Sequence, residues 1–154
     1  MSELTQARLK QLLNYDPVTG VFTRRSTGKR AGHLDEGYWI IELDNHPYRA
    51  ARLAWLYMTG SWPAAQVDHQ NTDSADDGWD NLREATQSQN HANRGVFNNN
   101  IAGIKGVRVR NGRWQARITV DHKCRCLGTF ATKEDAYAAY CSAAKVLFGN
   151  FWRG

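Results

Sequence analysis

Apolar residues in the first 93 positions recur at two spacings, which predict helices and strands in alternation. Leucines at helical intervals in LTQARLKQLL end at a turn, NYDPVTG, whereas YWIIEL is dense in strand-forming residues. A second helical pattern closes at Trp62-Pro63, because proline disfavours helical geometry in the residue before it. The predicted helices are residues 4–13, 48–60 and 82–93, and the predicted strands are residues 21–23, 38–43 and 67–69.

The last third of the chain alternates in strand fashion and then becomes helical. Turns at Asn111-Gly112, the strongest short hairpin signal, and at Asp121-His122 separate three alternating runs. Thr132 begins an amphipathic helix with a cap-like start. The predicted strands are residues 106–110, 113–120 and 124–130, and the helix is residues 132–147 with Ala136, Ala139, Ala143 and Leu147 facing inward. This pattern predicts a three-stranded antiparallel sheet packed on one helix.

These elements predict an α+β fold in two modules, because 154 residues suffice for one full domain or two small ones. FNNNIAG, polar and without periodicity, is the expected linker, and it sets the predicted modules at residues 1–97 and 98–154. No apolar run approaches the roughly 20 residues of a membrane span. MSELTQARLK also lacks the apolar core of a signal peptide. We therefore expect a soluble, cytoplasmic protein with no membrane partner and with reduced cysteines.

The net charge of +5 conceals a division between the two predicted modules. From residue 98 onward, ten Lys or Arg face three Asp or Glu, a net charge of +7, whereas the first 97 residues carry −2. Six acids fall between Asp68 and Glu84. A basic module beside an acidic segment favours one part that holds DNA and another that holds a cation. The alternative is a basic surface that only confers solubility.

The stretch VDHQNTDSADDGWDNLREATQSQN concentrates residues able to hold a hard cation and to activate a water. Asp68 and His69 end a predicted strand, and two carboxamides, Asn81 and Asn90, follow. Asp and Asn oxygens suit Mg²⁺, and a neutral imidazole accepts a proton near pH 7. Neighbours on a strand point to opposite faces, so Asp68 and His69 share one site only if the strand bends there.

The two asparagines carry different expectations. Asn81, at the far end of the acidic loop, can tie the loop backbone back and fix the imidazole, or it can cap the predicted helix that follows. Asn90, inside that helix, can return an oxygen to a metal held by Asp68. His91 is turned by about 100° from Asn90 on a helix, so the two side chains cannot aim at one ion.

This spacing resembles the HNH endonucleases of the ββα-metal fold, most of all their phage and intron homing-type branch. The flanking stretches ARLAWLYMTGSWP and NLREATQSQN are also similar to that branch, and the resemblance covers residues 4–94. It implies that His69 is the general base and that Asp68 with Asn90 ligates one divalent ion, Mg²⁺ or alternatively Mn²⁺. It further implies that Asn81 orients the loop around His69.

Two departures from the family pattern bear on activity. Relatives commonly carry histidine where this chain has Ala51, and glycine with basic residues where it has Thr72, Asp73 and Ser74. Extra acid near the metal changes its affinity or weakens the approach of a phosphate. The first alternative is therefore a DNA-binding protein with an inactive HNH centre. A second is an RNA-binding or structural protein whose acidic loop holds a cation for stability alone.

The basic module is similar to the plant ethylene-response-factor (APETALA) type of DNA-binding domain, through GIKGVRVR, WQARI, LGTF and an alanine-rich helix. The resemblance implies a sheet that lies in the major groove of DNA. Alternation leaves Trp114 either in the core or on DNA. Arginine suits such contacts because it pairs bidentately with guanine or phosphate. The predicted DNA contacts are Arg108, Arg110, Arg113, Gln115, Arg117, Lys123 and Arg125.

Together these features predict a metal-dependent, site-directed endonuclease of the homing type that acts on double-stranded DNA. One active centre per chain favours nicking by a monomer, with at most a weak dimer for double-strand breaks. The expected setting is the cytoplasm of a bacterial or phage-infected cell.

Overall fold

The computed structural model describes residues 4–93 and 103–153, and the chain divides into two compact units, Met1–Ala85 and Thr86–Gly154. Helices and strands are mixed in both units, which confirms the α+β class. The predicted boundary between residues 97 and 98, like most of the predicted linker, lies outside the described residues. No helix in the described ranges is long and apolar enough to cross a membrane.

The first unit places two hairpins and a three-stranded antiparallel sheet around two helices. β1 pairs with β2, β4 lies between β3 and β5, and β6 pairs with β7. A 3₁₀ turn (Trp79–Asn81) precedes β7. The elements are α1 (Gln6–Leu12), β1 (Leu13–Tyr15), β2 (Phe22–Arg24), β3 (His33–Asp35), β4 (Tyr38–Leu43), β5 (His46–Arg49), α2 (Ala50–Thr59), β6 (Gln66–His69) and β7 (Leu82–Ala85).

One hydrophobic core joins these elements. Strand alternation turns Ile41 and Leu43 of β4 inward, and Leu53 and Leu56 of α2 meet them from one helical face. Phe22 of β2 is buried in the same cluster. Burying one such side chain contributes about 1.5–3 kcal/mol, so the core fixes the sheet and α2 as a platform for the strands that follow.

The helix predicted over residues 82–93 is wrong in its first five residues. Leu82–Ala85 is the strand β7, which pairs antiparallel with β6, and the helix that follows is α3 (Gln87–Asn93). Leu82 and Ala85 are both buried at a spacing of three residues, which fits one face of a helix, whereas on a strand the two side chains lie on opposite faces. Pairing with β6 satisfies the backbone groups of this segment and decides between the two. Asn81 therefore does not cap a helix.

The second unit confirms the predicted three-stranded antiparallel sheet with one long helix. Its elements are α3, β8 (Val107–Arg110), β9 (Arg113–Val120), β10 (Lys123–Phe130) and α4 (Lys133–Phe148), and β9 is the central strand of the sheet. Asn111 and Gly112 both have positive φ (51° and 72°), as a two-residue hairpin turn requires. The hydroxyl of Thr132 accepts the backbone N–H of Asp135 at 3.1 Å and caps α4.

The inner face of α4 differs from the prediction after its first residue. The buried positions are Ala136, Tyr140, Ala144 and Phe148, a row of residues four apart. Leu147, predicted to face inward, is 44% exposed. The aromatic rings of Tyr140 and Phe148 bury more apolar surface than Ala139 and Leu147, the residues one position earlier, and this sets the rotation of the helix.

Candidate active site

Asp68 and His69 are adjacent on β6, and both side chains are buried. Asp68 lies opposite Arg83 of β7, and its Oδ2 accepts hydrogen bonds from Nε and Nη2 of that arginine, each at 2.9 Å. His69 lies opposite Leu82 and contacts a different partner. The two side chains thus serve separate interactions, as strand alternation predicts.

The partner of His69 is Asp77, whose Oδ1 lies 2.9 Å from Nε2 of the imidazole. Both side chains are almost fully buried, with 7% and 2% of their surface exposed. An ionised carboxylate can only accept, so the shared hydrogen belongs to Nε2. That tautomer makes Nδ1 the basic nitrogen of the neutral ring. Asp77 therefore fixes both the orientation and the tautomer of His69.

The backbone of Asp77 is held by the N-terminal hairpin, which β1 and β2 form. The hydroxyl of Tyr15 donates to the carbonyl of Asp77 at 2.7 Å, and Trp79 N–H donates to the carbonyl of Pro17 at 2.8 Å. Burial raises the pKa of Tyr15, so its hydroxyl stays protonated as a donor. A Cβ added at Gly20 would lie 2.4 Å from the Asp77 carbonyl carbon, so the hairpin turn packs directly on this backbone.

Asn81 closes the loop that carries Asp77. Its Oδ1 accepts the N–H of Asn71 at 2.9 Å, and its Nδ2 donates to the carbonyl of Asp76 at 2.7 Å. The carboxamide thereby bonds to both arms of the loop. In the second arm its partner is Asp76, the residue immediately before Asp77. Asn81 does not touch the imidazole through these bonds, so any effect on His69 passes through the loop.

The loop is also bonded to the three-stranded sheet of β3, β4 and β5. Ser74 Oγ donates to the carbonyl of Gly37 at 2.7 Å, in the turn between β3 and β4. Next to that turn, the ring of Tyr38 lies 6.3 Å from the ring of His69, centre to centre. His69 is thus bordered by Asp77 on its loop and by Tyr38 on β4.

The second predicted metal ligand, Asn90, lies on α3, which belongs to the second unit. That helix is anchored there, since Ser88 Oγ accepts the N–H of Asp121 at 2.8 Å. The joint ligation of one ion by Asp68 and Asn90 stays a prediction. Within residues 4–93 and 103–153, no three His, Cys, Asp or Glu side chains are grouped to hold a metal.

The predicted DNA contacts of the second unit divide between the two faces of its sheet. Cross-strand partners share a face, so the pairs Arg108–Gln115 and Arg110–Arg113 lie together, and alternation adds Arg117 to them. The register places Lys123 opposite Val120 and Arg125 opposite Ile118, on the face that also buries Ile118. The seven side chains therefore do not form one surface.

Gln115 departs from its predicted role as an exposed contact. Its side chain is 8% exposed, and its Oε1 accepts from Arg108 Nε at 2.9 Å. It thus holds an arginine in place and is itself covered. Trp114 is half-buried against the core of this unit, which supports the packing alternative for that residue.

A buried histidine–carboxylate pair at the end of a strand is an arrangement that can activate water for hydrolysis. Residues 48–92, which contain this pair, match the family model of the HNH endonucleases. The chain therefore carries an HNH endonuclease domain over this segment, and the family indicates a nuclease that cleaves DNA. Comparisons with curated proteins and with solved structures return no match.

Three residues of the site were missed by reasoning from the sequence. Asp77 is one of six acids in its segment, and nothing in its spacing distinguishes it from Asp73 or Asp76. Tyr15 and Tyr38 lie on other elements, 62 and 31 positions from the residues they meet. The only signal was the density of carboxylates after His69, which indicated a charged partner without naming it.

Proposed function

We propose that the chain is a metal-dependent DNA endonuclease of the homing type, which cuts double-stranded DNA at sites selected by its second unit. The observation that carries this proposal is the buried His69–Asp77 pair inside the segment that matches the HNH family. A buried pair needs a reason, because burying ionisable groups costs stability. Orientation of a general base provides that reason.

His69 acts as the general base. Its Nδ1 accepts a proton from the attacking water while Nε2–H stays bonded to Asp77, whose negative charge stabilises the imidazolium that forms. Asp77 is a positioning residue in this scheme, and Tyr15 and Asn81 position it in turn through its backbone and its loop. Water attacks the phosphodiester, and the leaving oxygen departs from the opposite side.

A divalent ion, Mg²⁺ or Mn²⁺, would be held by the carboxylate of Asp68 and the carboxamide oxygen of Asn90. Two protein oxygens fit Mg²⁺, which takes its remaining ligands from water and phosphate. Such an ion stabilises charge on the phosphate oxygens and the leaving group when bound. Asp68 is buried on β6, where its carboxylate binds the Arg83 guanidinium and would bind the ion beside it or in its place.

The second unit would hold the duplex through the arginine face of its sheet. Arg110 and Arg113 are exposed and directly opposite each other on β8 and β9. Like charges directly opposite on a sheet cost stability, so a ligand that neutralises them explains their retention. A DNA phosphate or guanine is such a ligand. The resemblance of this unit to the ethylene-response-factor domain supports the same role.

The test is cleavage of supercoiled plasmid in Mg²⁺ against EDTA, with His69→Ala and, as a matched control, His46→Ala. His46 is an exposed histidine of the same unit, so its replacement should leave nicking unchanged. Loss of nicking in EDTA and in His69→Ala alone establishes the centre. Absence of cleavage by the parent chain with Mg²⁺ and Mn²⁺ contradicts the proposal.

One observation favours the alternative of a DNA-binding protein with an inactive centre. Arg83 already neutralises Asp68, which an ion would have to share or displace. If this ion pair disables the centre, Arg83→Gln should create cleavage that the parent lacks. If the parent cleaves and Arg83→Gln only lowers the Mg²⁺ concentration required, the pair tunes an active enzyme.

A further inference from the structure

The three-stranded sheet of β3, β4 and β5 has one face that points away from the core, and this face carries an arginine near His69, the candidate base. Ile41 and Leu43 of β4 point into the core, so Tyr38 and Ile40 point to the other face. Arg49 of β5 is the cross-strand partner of Ile40 and therefore lies on that same face. This is the face on which Tyr38 meets His69.

Arg49 is held by an aromatic ring. Its guanidinium carbon lies 4.0 Å from the centre of the Tyr38 ring. The backbone is fixed on both sides, since Arg49 ends β5 and immediately precedes α2. Stacking of this kind preorganises a guanidinium and leaves its N–H groups directed outward in the plane.

The charge of Arg49 has no carboxylate partner within the described part of the first unit. The ion pairs there are Arg8–Asp44, His69–Asp77 and Arg83–Asp68, and the Arg49 side chain is exposed. Asp35 and Glu42 share its face of the sheet by register. Attraction for an anion at this place therefore depends on the single guanidinium and not on the net charge of the face.

The distance to the base suits a nucleic acid. Arg49 stacks on Tyr38, which lies next to His69, so the guanidinium is no farther than about 10 Å from the imidazole centre. Phosphates of one DNA strand follow each other at about 3.4 Å along the helix axis. A strand whose cut bond lies at His69 thus brings that phosphate, or one of the next few, to Arg49.

We propose that Arg49, stacked on Tyr38, binds a backbone phosphate of the strand being cut and sets that strand against His69. This inference rests on the proposed nuclease function and adds a substrate contact within the nuclease unit. Arginine pairs bidentately with phosphate oxygens, which fixes orientation as well as position. Tyr38 is a positioning residue that acts through Arg49.

Arg30 provides a matched control. Its guanidinium carbon lies 3.5 Å from the ring centre of Trp39, the residue after Tyr38, whose side chain points to the opposite face of β4. Arg30→Gln and Arg49→Gln therefore each remove one exposed, ring-stacked arginine from the same unit. Both variants lose the same charge, so a difference in their effects on the substrate depends on where the arginine lies.

The experiment measures single-turnover cleavage of a labelled duplex in Mg²⁺ over a range of protein concentrations, with duplex affinity measured separately in EDTA at several salt concentrations. Arg49→Gln should raise the half-saturating concentration about tenfold and lower the salt slope of binding by about 0.9, the value for one phosphate. Arg30→Gln should stay within about twofold of the parent on both. Arg49→Lys, which keeps the charge, should recover part of the loss.

Equal effects of Arg49→Gln and Arg30→Gln overturn the phosphate contact. Failure of the nuclease proposal is a separate result, since it appears as a parent chain that never cuts. In that event the affinities in EDTA still decide on Arg49. A selective loss in Arg49→Gln keeps the contact as part of a binding protein, and no selective loss removes it.

Discussion

The two units use charge in opposite ways. In the first unit, Asp68, His69 and Asp77 are buried, and each is bonded to a defined partner at 2.9 Å. In the second, Arg110 and Arg113 are exposed and face each other across two strands. Buried ionisable side chains have fixed orientations and cannot adjust to different ligands, and a reaction at one particular bond requires such fixed groups. Exposed charges adapt to a polymer and are sensitive to salt.

The largest effect is expected when the buried pair is broken without changing its shape. Asp77→Asn keeps the volume but removes the charge that orients His69, so the cleavage rate should fall by about 10²-fold or more. Duplex affinity, which the proposed arginine contacts set and Asp77 does not, should not change. The check is a single-turnover rate alongside fluorescence anisotropy with labelled duplex. A parallel loss of affinity would mean that the two roles are not separate.

The backbone beneath Asp77 provides the next test. Gly20 and Gly28 both have positive φ (71° and 68°), but a Cβ at Gly20 meets the Asp77 backbone, whereas Gly28 has open space. Gly20→Ala should therefore lower the free energy of unfolding by about 2–4 kcal/mol, and Gly28→Ala by about 1 kcal/mol. Urea denaturation measures both. Similar losses would show that the hairpin yields without disturbing Asp77.

The exposed arginines should trade affinity against stability. Arg110→Gln with Arg113→Gln should weaken duplex binding about 10- to 100-fold at physiological salt and lower the salt slope by up to about 1.8. The same change should raise thermal stability slightly, because it removes two opposed charges. The control is Lys123→Gln with Arg125→Gln, which removes two charges from the other face. Equal weakening by both pairs would contradict an arginine face.

The smallest effect concerns the pH dependence of the second unit. Burial lowers the pKa of Lys105 to about 8, and its ammonium donates to the carbonyl of Ala92. An unfolded lysine titrates near pH 10.4, so above about pH 8 the unfolded chain binds more protons than the folded one. Stability should therefore rise from about pH 8 to pH 9.5, by about 1 kcal/mol after solvent screening.

Lys105→Met should lack this rise in stability. The window ends below pH 10 because burial raises the pKa of Tyr140 to about 12, which reverses the slope once unfolded tyrosine ionises. Denaturant midpoints at a series of pH values decide the point. A rise of equal size in Lys105→Met would assign it to another group.

Elements that depend on only a few neighbouring residues were predicted correctly from the sequence. The strand-forming residues of YWIIEL, the turn at Asn111-Gly112 and the cap at Thr132 are features of a few neighbouring residues, and the strand, the turn and the cap all occur in the structure. Segment 82–85 was predicted wrongly because the interval of three between Leu82 and Ala85 fits one face of a helix. Its pairing with β6 is a long-range event that no local window contains.

The site divides in the same way. His69 and Asp68 stand out by their order in the chain, and Asn81 by its place at the end of a loop. Asp77 could not be selected, since which of several nearby acids reaches the imidazole depends on how the loop folds back over Asn71 and Asn81. Lys123 and Arg125 lie on a different face of the sheet from the predicted arginine contacts. The register of β10 against β9 decides this, and a count of charges along the sequence does not contain the register.

The N-terminal hairpin has a consequence for engineering. The family match spans residues 48–92, but Tyr15, Pro17 and Gly20 hold the backbone of Asp77 and Trp79 from outside that span. A minimal cassette cut at the family boundaries, or a chimaera that grafts it onto another scaffold, would retain every motif residue and lose the support beneath the His69–Asp77 pair. A graft should therefore include the whole of the first unit, and motif boundaries are a poor guide to where the chain can be divided.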